Sequence, residues 1–171
     1  MASDLRSLSD IEIDRLPEAK GWRFAVLVSN YHEDITHPLR DGAIEMLKAR
    51  FVADEDILID YVPGTYELTS GAQMLAESAK VDAIICLGCV IKGHTDHDKY
   101  INHAVAQGLT HLGIKYHMPV IFGVLTPNNH QQAVQRAGGS LGNKGHEAAA
   151  AAIEMVAMKH RLGGRSQKAG F

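Results

Sequence analysis

The stretch Ala83-Ile84-Ile85-Cys86-Leu87-Gly88-Cys89-Val90-Ile91, followed at once by Lys92-Gly93-His94-Thr95-Asp96-His97, decides the fold. An apolar run of this length, broken only by Gly88, is far short of the ~20 residues a bilayer-spanning helix needs, and its β-branched content suits a strand buried on both faces. The polar segment behind it reads as the loop into a helix. Outward from this core the same pattern recurs at Phe24 to Ser29, Ile57 to Val62 and Val120 to Leu125. Between these runs, apolar residues fall at helical spacing: Leu39, Ala43 and Leu47; Leu68, Ala72, Leu75 and Ala79; Ile101, Val105, Leu109 and Leu112. A short helix from Gln131 to Ala137 and a longer one from Lys144 to Leu162 follow, separated by Gly138, Gly139 and Gly142.

The resulting order, β-α-β-α-β-α-β-α-α, pairs strands in parallel and places crossover helices on both faces. It predicts a three-layer α/β/α sandwich around a central parallel sheet of four main strands, flavodoxin-like in outline. A chain of 171 residues is one domain's length. Residues 1–20 and 163–171 read as tails, and 21–162 as the single α/β domain. With 46% hydrophobic and 22% charged residues, disorder and disulfide-scaffold classes are excluded. The net charge of -3 argues against nucleic-acid binding. No transmembrane segment or basic-apolar export signal is legible, so no membrane partner is expected and the expected location is cytoplasmic.

Cys86 and Cys89 have the spacing of a redox or zinc half-motif, but residues three apart on a strand point to opposite faces. Two buried thiols are expected rather than a disulfide, and no second pair completes a zinc site.

In such sheets ligands bind beyond the carboxyl ends of the strands. That rule nominates Ser29 to Asp34, Pro63 to Glu67, Lys92 to His97 and Thr126 to His130. Thr95 or Asp96 is the expected N-cap of the third helix, placing His97 in its first turn at the active edge. The positive helix end, with Lys92 or Lys99, acts to lower the imidazole pKa, whereas Asp96 and Asp98 oppose it. A neutral imidazole there can take and return a proton. A metal pair of His94 and His97 is not expected, because that spacing is common by chance. Arg136 and Lys144 flank a glycine-rich turn at a helix start, a pattern that holds phosphate or merely displays solvated charge. Tyr31 can stack on a planar heterocycle, and Glu67 can cap its helix or accept ligand hydrogen bonds. The run Ala148 to Ala152 is either a strong helix former or a surface that lets another backbone approach closely.

Five signatures occur in order over Phe24 to Met158: Val62-Pro63-Gly64-Thr65-Tyr66-Glu67-Leu68, Gly88 to His97, Phe122-Gly123-Val124-Leu125-Thr126, Gln132-Ala133 with Arg136-Ala137, and Asn143-Lys144-Gly145. Together they closely resemble the lumazine synthase family of riboflavin biosynthesis. The resemblance implies a metal-free, cofactor-free condensation of 5-amino-6-(D-ribitylamino)uracil with 3,4-dihydroxy-2-butanone 4-phosphate. By position, His97 matches the family's proton-transfer histidine, Arg136 its phosphate-binding arginine and Lys144 a nearby lysine. Tyr31 stands at the aromatic that stacks on the pyrimidine. Thr65, Tyr66 and Glu67, with Cys89, Val90 and Ile91, match loops that hold the pyrimidine and ribityl groups, and His94 with Thr95 a phosphate-side loop.

The resemblance further implies a homo-oligomer in which Phe122 and Arg136 come from the adjacent subunit. The assemblies it implies are a pentamer, a pair of pentamers or a sixty-subunit shell, the last favoured by the short turn between Arg136 and Lys144. It also implies an extra N-terminal strand from a neighbouring subunit and riboflavin synthase as a candidate partner. The chain departs from the family pattern at Tyr31-His32 (usually Phe-Asn), Thr69 (Pro), Lys92 (Arg), His94 (Glu or Ala) and Asp98 (an aromatic). Because a carboxylate beside His97 raises its pKa and repels phosphate, the competing expectation is a weakly active or non-catalytic shell or ligand-binding protein on the same scaffold. A flavodoxin-like electron carrier is disfavoured, since Asn30-Tyr31-His32-Glu33-Asp34 lacks the Ser, Thr and Gly of a phosphate-binding first loop.

Overall fold

Four parallel strands, β1 (Phe24–Ser29), β2 (Ile57–Val62), β3 (Ala83–Cys89) and β4 (Val120–Leu125), form one sheet in the order β2-β1-β3-β4. The computed structural model describes residues 12–168, with side chains to residue 163. The outer parts of the two expected tails, 1–11 and 169–171, lie outside the described residues. Helices α1 (Glu33–Ala49) and α5 (Lys144–Lys168) cover one face of the sheet, and α2 (Leu68–Ser78) and α3 (His97–Lys115) the other. A short α4 (His130–Arg136) leads into a hairpin of β5 (Ala137–Gly139) and β6 (Gly142–Asn143).

The two-residue period of the strands divides the core in two. Phe24, Val26 and Val28 of β1 and Ala83, Ile85, Leu87 and Cys89 of β3 join Leu39, Leu47, Ile153 and Val156 of α1 and α5. The intervening Ala25, Leu27, Ile84 and Cys86 join Leu68, Leu75, Val105 and Leu109 of α2 and α3. Each fully buried Leu or Ile contributes about 1.5–3 kcal/mol relative to exposure. The two cysteines therefore face opposite layers as their spacing predicts, and both are free. Burial pushes the Cys86 thiol up to about 12, and burial, then the nearby Asp34 carboxylate, does the same to Cys89.

Several expectations need correction. β3 ends at Cys89, not Ile91, although the amides of Val90 and Lys92 still donate to the carbonyls of Leu125 and Pro127 as the chains splay into loops. β2 and β4 are not buried on both faces: they are the sheet's two edges, with Leu58, Ile59 and Tyr61 of β2 and Phe122 of β4 exposed. The glycine-rich turn before α5 closes a short antiparallel hairpin whose two strands the sequence reading did not include. α5 runs through Gly163 to Lys168 instead of stopping at Leu162. Within the N-terminal stretch read as a tail, Leu16 and Ala19 are buried; the Ala19 amide donates to the Arg50 carbonyl (2.8 Å) and Arg50 Nε to the Pro17 carbonyl (3.3 Å).

The alanine run of α5 finds its close neighbour within the chain. Ala149 and Ala152 are fully buried, and the small side chains let α5 lie against α1 and the sheet. At its start the approach is closest: a Cβ on Gly145 would sit 1.8 Å from the Leu39 carbonyl oxygen, so no other residue fits there.

Candidate active site

The loops leaving β1, β2 and β3 meet at the carboxyl edge of the sheet and enclose a cleft of about 590 Å³. Tyr31, Thr65, Tyr66, Glu67, Cys89, Val90, Ile91, Thr95 and His97 all line it, together with His32 and Asp98. Thr65 is buried and its Oγ1 donates to the Cys89 carbonyl (3.4 Å), tying the β2–α2 loop to the end of β3. Gly88 makes this possible, since a Cβ there would lie 2.7 Å from Thr65 Oγ1. Glu67 occupies the N-cap position of α2 but makes no side-chain capping bond, so its carboxylate faces the cleft instead of the expected alternative. Tyr31 leaves 67% of its surface open.

His97 is the first residue of α3, and its amide donates to Thr95 Oγ1 (3.4 Å). The expected cap is divided: Asp96 holds the N-cap position, yet its carboxylate pairs with Lys99 Nζ (2.7 Å) and caps nothing. His94 is exposed and lines neither this cleft nor the next. One Asp98 carboxylate oxygen is buried without a hydrogen-bond partner among the described residues.

The remaining nominated residues lie elsewhere. Phe122, Arg136 and Lys144 line a second cleft, also about 590 Å³, between the free edge of β4, α4 and the start of α5. No residue lines both clefts. Arg136 Nη1 donates to the Gln132 carbonyl (3.1 Å), while Phe122 is 42% exposed on the sheet edge. Asn143 builds this cleft: its Nδ2 donates to the Pro38 carbonyl (2.9 Å) and its Oδ1 accepts from the Gly145 amide (2.8 Å), fixing Lys144 between them. Sequence reasoning missed Glu147, whose Oε2 lies 2.6 Å from Lys144 Nζ. Its side chain is only 10% exposed, and Oε1 is buried with no hydrogen-bond partner among the described residues. The only sequence signal was the i, i+3 spacing of Lys144 and Glu147 in a helix's first turn.

An aromatic face, a carboxylate and main-chain groups in one cleft suit a planar, donor-rich ring and a polyol. The guanidinium and ammonium in the other suit an anion. The family model described as 6,7-dimethyl-8-ribityllumazine synthase matches residues 21–160. The chain belongs to the lumazine synthase family. Relatives bearing that same description include one from Phocaeicola vulgatus, 44% identical over 162 residues (95% of this chain, 96% of the relative). Another, from Cytophaga hutchinsonii, is 46% identical over 157 residues (92% and 98%). A third, from Bacteroides fragilis, is 46% identical over 134 residues (78% and 94%). The lumazine synthase match spans every strand, both clefts and the first 17 of the 25 residues of α5 (Lys144 to His160). Among the described residues no helix is long and apolar enough to cross a membrane.

Proposed function

We infer that this lumazine synthase is a transferase that condenses 5-amino-6-(D-ribitylamino)uracil with 3,4-dihydroxy-2-butanone 4-phosphate, giving 6,7-dimethyl-8-ribityllumazine and phosphate in riboflavin biosynthesis. The observation that carries this is the division of complementary chemistry between two clefts with no shared residue. Tyr31 stacks on the pyrimidine, Thr65 to Glu67 and Cys89 to Ile91 hold its polar edges and the ribityl chain, and Arg136 with Lys144 holds the phosphate. His97 transfers protons as the amine forms an imine with the ketone, phosphate leaves, and the second amine closes the ring. Thr95, and His94 from its exposed loop, sit on the phosphate side.

For the two substrates to meet, the Arg136 cleft of one copy lies against the His97 cleft of another, so the active unit is a homo-oligomer. A pentamer, alone or as the unit of a sixty-subunit shell, satisfies this. The exposed outer edge of β2 is where an N-terminal strand of a neighbour adds. We place the reaction in the cytoplasm, with riboflavin synthase consuming the product. The test is the two-substrate assay followed by lumazine absorbance and fluorescence. Product well above the uncatalysed rate is expected, and His97→Ala lowers kcat by about 10²-fold, the lower end of what general acid–base catalysis contributes. A rate equal to the uncatalysed one would refute the assignment and favour a non-catalytic shell or ligand-binding role.

A further inference from the structure

Of the three described non-glycine residues with positive φ, His32, Phe51 and His117, only His32 lines the His97 cleft. Its backbone is left-handed (φ 62°, ψ 54°), a conformation that side chains resist and that persists only where the surroundings impose it. Here α1 imposes it. The His32 carbonyl accepts the amides of Ile35 and Thr36 (both 2.9 Å) and the Thr36 hydroxyl (3.3 Å), whereas the imidazole makes no capping bond. The bend therefore does not need the ring.

The ring instead meets Tyr31. The two centroids are 4.6 Å apart with the planes at 68°, an edge-to-face pair. Tyr31's backbone is pinned by its amide to the Pro63 carbonyl (3.1 Å) and by Ser29 Oγ on its own carbonyl (3.5 Å), but its ring stands largely in solvent. Without a brace, an exposed aromatic loses rotamer freedom when a ligand stacks on it.

We propose that the His32 imidazole is a positioning residue that holds the Tyr31 ring in the pose receiving the planar heterocycle. The proposal rests on the assignment of this cleft to the pyrimidine. Its test is calorimetric titration of the full-length protein with 5-amino-6-(D-ribitylamino)uracil alone, alongside KM and kcat. His32→Asn removes the ring but keeps a residue that tolerates left-handed backbone; His32→Phe keeps an aromatic edge. His32→Asn is expected to weaken pyrimidine binding about two- to tenfold, the range for an aromatic pair, with the loss in the pyrimidine KM rather than kcat. His32→Phe retains affinity. In a Tyr31→Ala background His32→Asn costs nothing further, which a purely structural role would not produce. Unchanged affinity in His32→Asn, or an equal loss with and without the Tyr31 ring, overturns the brace alone. Absence of pyrimidine binding by the unaltered chain overturns the cleft assignment with it.

Discussion

Two cations line the β4 cleft, but they are not equivalent, because Lys144 is held 2.6 Å from the Glu147 carboxylate while Arg136 forms no ion pair among the described residues. The Lys144–Glu147 pair is nearly neutral as a unit, so the net positive field that an incoming phosphate meets comes from the guanidinium. Hydrogen bonds to charged groups are worth about 1.5–3 kcal/mol, so Arg136→Ala is expected to raise the KM of the phosphate substrate roughly 10- to 100-fold. Lys144→Ala alone would leave the nearly buried Glu147 carboxylate bare in the same cleft, so the pair is removed together: Lys144→Met with Glu147→Gln should cost less than about tenfold, because it takes away no net charge. Steady-state kinetics with the phosphate substrate varied would decide it, and the reverse ranking would show that Glu147 does not neutralise its partner. The cysteines give a second prediction at this scale. With both thiols pushed up to about 12 and buried, neither is a thiolate near neutrality. A disulfide-exchange reagent at pH 8 should leave the folded protein unlabelled and titrate both residues only after denaturation; fast labelling of Cys89 in the native state would contradict the burial of its thiol beneath the cleft wall.

At the scale of elements, the first turns of α1 and α4 are joined by Asp34 and His130, which ties the loop after β1 to the loop after β4. The hydrogen bond from His130 holds the Asp34 carboxyl below its ordinary value of 3.8, outweighing the opposing effect of burial, with the charge of His130 a lesser contribution. A carboxyl whose folded pKa is depressed stabilises the fold above its unfolded pKa, and that contribution disappears as pH falls through the folded value. Both side chains are more than half exposed, so the contribution is screened and belongs to the class worth about 0.2–1 kcal/mol. The melting-temperature advantage of the unaltered protein over Asp34→Asn should be steady near pH 6 and shrink below 3.8; an advantage equally large at pH 3 would rule the pair out as its source. This tie was invisible in the sequence, because residues 34 and 130 meet only through the β2-β1-β3-β4 order. What was legible followed from local periodicity: the apolar runs of β1 and β3 and the helical stripes of α1 to α3. Edge position is not a local property, so Ile57 to Val62 looked as central as its neighbours. The β5–β6 hairpin is too short to show alternation, and Gly163 ends no helix because its φ is not left-handed. Of the candidate site, loop position and the family signatures found nine residues that line the His97 cleft, but only Phe122, Arg136 and Lys144 of those that line the β4 cleft. Glu147 and His32's contact with Tyr31 depend on side-chain packing that no spacing encodes.

For the whole molecule, His97 and Arg136 line different clefts, and mixing of variants distinguishes the proposed site shared between copies from a site complete in one chain. If each site draws His97 from one copy and Arg136 from its neighbour, His97→Ala and Arg136→Ala assemblies are each nearly inactive for different reasons. Dissociated, combined in equal amounts and reassembled, they form sites in which one chain supplies the imidazole and another the guanidinium. Random association makes about a quarter of the sites carry both groups intact, so about a quarter of the unaltered activity should return. Simple mixing without dissociation should restore almost none, because the copies must exchange for new seams to form. A site assembled within one chain would contain one defect in every copy, and no mixing protocol could repair it. Recovery after reassembly, with none before, is therefore the outcome expected of clefts that meet across a seam between copies.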